Sequence, residues 1–411
     1  MSSNTIVRLP YLHDHHSHVS LYSALAGLPD LGHVSAGPKG VAQALALLHG
    51  LPNEDLSLVI GWHTDRLPFS SADLADMPPA LIVNSSLHGF VLTPAALPFV
   101  ETLWPEFAEH ASEEDWIERN LGQTFCFYSR VAGFTPSKLE AFMATMEGLG
   151  IGSLEDMTIA SEDALEIIAN SRYSDRILCW ATPDVYRCLS AQARSRCVGI
   201  KIFLDGALGG RSASLDEPFL SGEKGMLLYS DNELHALLVE IAGYKTGLSV
   251  HALAHRCIEQ ILRCIEDLAN EGVHLPAVRL EHLQFISLDQ AKRAKKLGII
   301  LSMQPNFNSD SVDFIDRLVP RHRAENDPFR MLIDQAGFVP GVDLVFGSDG
   351  MPHGPEYALQ WSLFPAYESQ RLSPEEFVAG YKPEAGRARA IPGEGSVFEV
   401  DGDRHVVRPA L

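Results

Sequence analysis

The chain has 411 residues, 46% of them hydrophobic and 21% charged, the composition of a soluble globular protein with material for a large core. Its formal net charge of −21 repels phosphate backbones and argues against nucleic acid as a partner. No run of about 18 apolar residues marks a membrane span, and the first residues lack the basic start and apolar stretch of a secretory signal.

Taken in chain order, short apolar runs alternate with helical patterns. Strand candidates are residues 7–13, 153–157, 176–181, 199–204 (GIKIFL), 247–251 (GLSVH), 277–282 (AVRLEH), 299–303 (IILSM) and 342–346 (VDLVF). After the fifth, Ile258, Ile261, Leu262, Ile265 and Leu268 fall on one face at a 3.6-residue period and predict a helix. Nearly all-apolar strands alternating with helices imply parallel strands covered on both faces. Eight such strands make an α/β fold, a (β/α)8 barrel.

The first two strands are too far apart for one crossover helix. Residues 51–135 therefore read as an insertion, placed at the catalytic end, where it would cover a site. The expected organisation is a barrel over 1–383 including that insertion, and a short Gly-rich C-terminal tail over 384–411. Six scattered cysteines, Cys126, Cys179, Cys188, Cys197, Cys257 and Cys264, form no C-x-x-C pair and predict reduced thiols in a cytoplasmic protein. A symmetric homodimer is the commonest assembly for such chains.

Ligand-type residues cluster where barrel strands end. The first strand runs into Asp14-His15-His16-Ser17-His18; His251 and His282 end two consecutive strands; Asp349 follows the last. Period two puts His16 and His18 on one face, where one ion could take both. Lys201 lies inside an apolar strand, where an unpaired charge is costly. Burial as the neutral amine is one solution, and that amine can add CO2 to give an anionic carbamate able to bridge two cations. An ion pair with Asp205 or another carboxylate is the other. Asp349, in a Ser-Asp-Gly sequence that also suits a turn, could ligate a metal and accept the proton of a water whose pKa the metal lowers.

These residues together resemble the amidohydrolase superfamily. GIKIFLDGALGGRSASL, VHALAHRCIEQIL, RLEHLQFISLDQAKRAKKLGIILSMQPNF and FGSDGMPHGP are similar to the branch that includes N-substituted formamide deformylase, and GWHTDRLP and NSSLHGFVLTPAAL to that branch's insertion. The resemblance spans most of residues 11–365. It implies a binuclear centre, with zinc the expected metal. His16 and His18 would hold the more buried ion, His251 and His282 the other, carboxylated Lys201 would bridge them, and Asp349 would ligate and act as general base and acid. It further implies a metal-dependent hydrolase that cleaves a non-peptide, amide-type C–N bond of a small molecule by a metal-bound hydroxide. An ester or lactone hydrolase on the same centre, an isomerase or lyase that uses the metal to hold an enolate, and a non-catalytic ligand-binding barrel are the alternatives. Trp62, His88, Arg211 and Gln304 are the candidate substrate contacts, with His88 also a candidate oxyanion stabiliser. His13, His15, His63, His255 and His353 are expected around the site or in solvent. Two departures stand out. The family's β-sandwich, made from both termini, should be absent or vestigial here, and NSSLHG lacks the acidic residue that relatives usually carry before that histidine.

Overall fold

The computed structural model describes residues 4–84, 87–111, 113–383 and 388–410; Ser85 and Ser86 of the NSSLHG phrase, and the expected boundary at 383/384, fall outside or at the edge of these. Eight parallel strands form the central sheet: β1 (Leu12–Ser17), β2 (Ile151–Asp156), β3 (Ile177–Ala181), β4 (Cys197–Phe203), β5 (Gly247–Ala252), β6 (Val278–His282), β7 (Ile300–Met303) and β8 (Leu344–Phe346). They are hydrogen-bonded in sequence order from β1 to β8, as a (β/α)8 barrel requires. The β8–β1 seam is closed by single bonds rather than a ladder. The Asp349 amide donates to His16 O at 2.7 Å, and the Ser348 amide and hydroxyl donate to the Asp14 carboxylate.

The helix expected after β5 spans His255–Asn270, and the five apolar residues that predict it are all buried. Ser230 with Glu233, and Ser287 with Gln290, form capping boxes at the starts of two other barrel helices, satisfying amides that helix geometry leaves free.

The first strand candidate, 7–13, is split. Asn4–Pro10 pairs antiparallel with Glu394–Asp401, and the barrel strand begins at Leu12. Pro10 has no amide to donate to a ladder, and the register shifts there, so the chain changes sheets. Val406–Pro409 completes this flanking sheet of three strands, the vestige of a sandwich. Its Phe398, Val400 and Val407 pack into the barrel's main core.

Between β1 and the helix Pro136–Gly148, the chain builds a layer around a second small sheet, Ser57–Trp62, Ala80–Asn84 and Phe90–Leu92. Its core also takes Leu31, Val34, Ala44 and Leu48, from ahead of residue 51. Among the described residues, no helix is long and apolar enough to cross a membrane.

Gly347 sits in the seam, where a Cβ would lie 2.3 Å from His16 N and 2.8 Å from its Cα. Backbone cannot yield as a flexible side chain can. Gly347→Ala should therefore cost about 1–3 kcal/mol, the usual toll of overpacking, read as a lower melting temperature by circular dichroism. An unchanged melting temperature would mean that the seam has slack.

Candidate metal centre

The strand ends bring five of the expected ligands to one mouth. His16 lies near the end of β1, with His18 just beyond it; His251 is in β5, His282 ends β6 and Asp349 follows β8. The ring centroids of His16 and His282 are 4.7 Å apart and those of His251 and His282 4.4 Å. Asp349 Oδ1 lies 3.3 Å from His18 Nε2 and 3.6 Å from His16 Nε2. His16, His282 and Asp349 present ligand atoms within 4.8 Å of one another. These five residues, with His88, line a single pocket.

The imidazoles are oriented from behind. His16 Nδ1 meets Glu281 Oε2 at 2.7 Å, and His18 Nδ1 meets Thr158 Oγ1 at 2.7 Å. Both leave Nε2 toward the mouth, the arrangement in which an outer partner fixes the tautomer of a ligating histidine. His251 Nε2 is 3.1 Å from Gly206 O, which leaves its Nδ1. The Nδ1 of His282 is buried without a hydrogen bond. Burial, then the Lys201 cation, pull His16 down to about 4 against the Glu281 carboxylate; burial and its histidine neighbours hold His282 well below the ordinary value. Both imidazoles are therefore neutral near pH 7, the form that binds a metal.

Lys201, in β4, is completely buried, and its Nζ has no hydrogen-bond partner. Asp205 is not its counter-ion: that carboxylate accepts from the Ser214 amide and hydroxyl and from the Leu253 and Ala254 amides. Burial lowers the Lys201 amine to about 8, against the pull of Glu281 and Asp349. An orphaned amine among imidazoles and a carboxylate fits a group that takes up CO2 or meets metal-bound ligands, and fits an ordinary core position poorly.

Beneath the mouth lies a buried ionic layer. Arg279 donates to Glu281 Oε1 (2.6 Å), Glu155 Oε1 (2.8 Å) and His15 O (3.0 Å), with its guanidinium over the Trp180 ring. His13 and His15 both approach Glu155. Burial would raise the Glu281 carboxyl, but Arg279 and His16 outweigh it and hold it well below the usual range. Glu155, Arg279 and Glu281 carry the same sequence signal as Lys201, a charge inside an apolar strand. Thr158 and Glu118 carry none.

His88 comes from the insertion and lines the pocket. Its Nδ1 meets Glu118 Oε2 at 3.0 Å, and Glu118 Oε1 accepts from Ser212 Oγ at 2.6 Å. Burial works against protonation of His88, and the Glu118 carboxylate more than offsets it, so its pKa stands above the ordinary value.

The other candidate contacts lie apart from the pocket lining. Trp62 donates to Leu67 O at 2.9 Å and packs in the core of the insertion. Arg211 stands in the loop after β4 with a left-handed backbone, φ 56°. Gln304 follows β7 and is fully buried. His353 packs against Tyr22 and Ser17 beside the site, while His63 is exposed. His255 lies in a separate group with Asp216 and His322.

The model of the amidohydrolase family matches residues 138–363, more than half of the 411 residues, and the chain belongs to that family. Over 232 residues it is 29% identical to YtcJ of Bacillus subtilis (strain 168), which is named among the amidohydrolases; the match takes in 51% of this chain and 43% of YtcJ. Over 136 residues it is 29% identical to the protein LONG AFTER FAR-RED 3 of Arabidopsis thaliana, 32% of this chain and 23% of that one. The chain thus spans less than half the length of either relative. Among solved structures, an uncharacterised metal-dependent hydrolase of Pyrococcus horikoshii OT3 superposes with a TM-score of 0.65 at 19% identity, over 92% of this chain and 80% of that one. Another from Pyrococcus furiosus gives 0.64 at 20% identity, over 92% and 81%. At such identity the likeness is one of fold.

Glu281→Gln keeps the shape of the residue behind His16 while removing its charge. Metal affinity, read by chelator competition, should fall about 10- to 100-fold, as for other outer partners of ligating histidines. Affinity within twofold of wild type would mean that His16 needs no anionic partner.

Proposed function

We propose that the protein is a metal-dependent hydrolase that cleaves an amide-type, non-peptide C–N bond of a small molecule, with N-substituted formamides as the reference substrates. One observation carries this reading. Four imidazoles and a carboxylate line one pocket at the barrel mouth, and near them an amine, Lys201 Nζ, is buried and without a hydrogen bond. The donors fit a pair of divalent ions, zinc first among them. His16, His18 and Asp349 would hold one, His251 and His282 the other, with Lys201 as its carbamate shared between them. Such ions supply Lewis-acid polarisation and lower the pKa of bound water.

The chain's own groups do the rest. Phe125, Phe203 and Phe307 wall the pocket and keep bulk water from the carbonyl. His88, whose protonated form the Glu118 carboxylate favours, donates a hydrogen bond to the carbonyl oxygen as negative charge builds there. Asp349, whose side chain remains 20% exposed, accepts a proton from the attacking water on Oδ and returns it to the leaving nitrogen. Reduced cysteines support a cytoplasmic setting.

Metal per chain, measured by elemental analysis on protein purified without chelators, tests the centre. Wild type should carry about two ions, with fewer in Lys201→Ala, and should hydrolyse members of an N-formyl and N-acyl panel. One ion, unchanged in Lys201→Ala, would reduce the site to a mononuclear one; no ion after supply of zinc and bicarbonate would sink the reading. Glu118→Gln removes the anion that holds the proton on His88. It should lower kcat by about 10- to 100-fold with a smaller effect on KM, and move the basic limb of the pH profile to lower pH, since the imidazole then loses its proton sooner. An unmoved basic limb would detach His88 from the reaction.

A further inference from the structure

The pocket that holds the five ligands has a second polar pole. Asp310, the first residue after β7's connecting turn, lines it together with Gln284. Gln284 Nε2 donates to Asp310 Oδ2 at 2.8 Å and to Asn326 Oδ1 at 2.8 Å, so both protons of that amide are spent inward and its Oε1 keeps its lone pairs. Behind this pair stands Asp327. It is wholly inaccessible, and neither of its carboxylate oxygens has a hydrogen-bond partner. Burial pushes the Asp310 carboxyl up to about 7, against the hydrogen bond from Gln284, and burial together with Asp310 pushes Asp327 higher still. Held from water, both carboxyls favour their neutral form, and a cation beside Asp310 would draw that group to its carboxylate.

The rest of the lining sharpens the point. It is largely apolar and includes Phe203, Leu253, Phe307 and Phe314. Among the described residues, no lysine or arginine lines the pocket. A substrate carboxylate would find no guanidinium or ammonium to pair with and would face the Asp310 carboxyl, an unfavourable pairing whenever that group is ionised. A substrate ammonium would find an acceptor in the Asp310 carboxyl, with Gln284 beside it, and would hold that group as its carboxylate.

We propose that Asp310 is the specificity determinant of this pocket, and that the substrate is an amide whose amine portion carries a protonated amino group at the far end of an apolar stem. The assignment rests on the hydrolase reading for the word amide, and on the pocket alone for the charge. Asp310 binds the ammonium, Gln284 holds Asp310 in place, and the apolar walls take the stem, so that the carbonyl reaches the imidazoles.

Three N-formyl probes of equal length test it, each with a six-carbon stem that ends in an ammonium, a methyl or a carboxylate group. Binding to the zinc-loaded full chain is measured by calorimetry, and turnover by release of formate. Wild type should favour the ammonium probe over the methyl probe by about tenfold or more in Kd and kcat/KM, with the carboxylate probe last. Asp310→Asn should collapse the ammonium-to-methyl ratio toward one, with Asp310→Ser as the second variant should the first melt early. The wild-type ranking stands without either. Equal binding of the probes, preference for the methyl or carboxylate probe, binding of none, or an unchanged ratio in a folded Asp310 variant would overturn the assignment. Ammonium-first binding without release of formate from any probe supports Asp310 as the determinant and counts against the hydrolase reading instead.

Discussion

A guanidinium buried between two carboxylates organises this molecule. Arg279 is 6% exposed and joins Glu155 on β2 to Glu281 on β6, strands on opposite sides of the barrel. Removing three charges from water costs several kcal/mol each, and only a fully hydrogen-bonded geometry offsets that. The geometry is present. Glu155 also accepts from Trp180 at 2.6 Å, Glu281 from Ser249 at 2.7 Å, and Arg279 fills its third contact with a backbone carbonyl of β1. Two anions against one cation leave a negative charge over, and it lies under His16. The floor of the barrel thus prepares the mouth for cations, while its hydrogen bonds fix which imidazole nitrogen faces them.

The mouth has two owners. The barrel provides the imidazoles, and the inserted layer provides His88 and Phe125. The layer has its own apolar cores and is tied down polar-side by Glu118, which reaches Ser212 in the loop after β4, and by Arg119, which donates to Leu228 O. His88 is thereby referenced to the strand that carries Lys201, so the lid and the centre share one anchor.

Much of this was readable from residue order alone. In a barrel, chemistry collects at the C-terminal strand ends, so histidines that terminate strands, and a lysine within one, point to the mouth before any contact is known. The seven later strands lie within a few residues of their expected places because buried parallel strands are apolar throughout. The first was displaced, since Pro10 divides an apolar run that periodicity reads as continuous. Partnerships were not readable. Glu155 and Arg279 meet across 124 positions, and Glu118 meets Ser212 across 94; no local pattern encodes either. Trp62 shows the same limit from the other direction, because a large aromatic residue in an insertion looks alike whether it lines a pocket or fills a core.

The end of β6 carries a cost of its own. Arg279 and Glu281 share the inward face of that strand, and a regular strand would turn the next side chain outward. His282 nonetheless meets the His16 and His251 rings, because His282 and Leu283 both adopt left-handed backbone, φ 73° and 53°. Two successive non-glycine residues in that region store about 1–3 kcal/mol each. Stability and function are therefore opposed at this corner. A glycine at 283 would relax the chain, yet it would also free the imidazole to wander from its neighbours. Selection for a sturdier protein alone would erode the centre here first, and an engineer raising thermal tolerance should leave this pair of residues untouched.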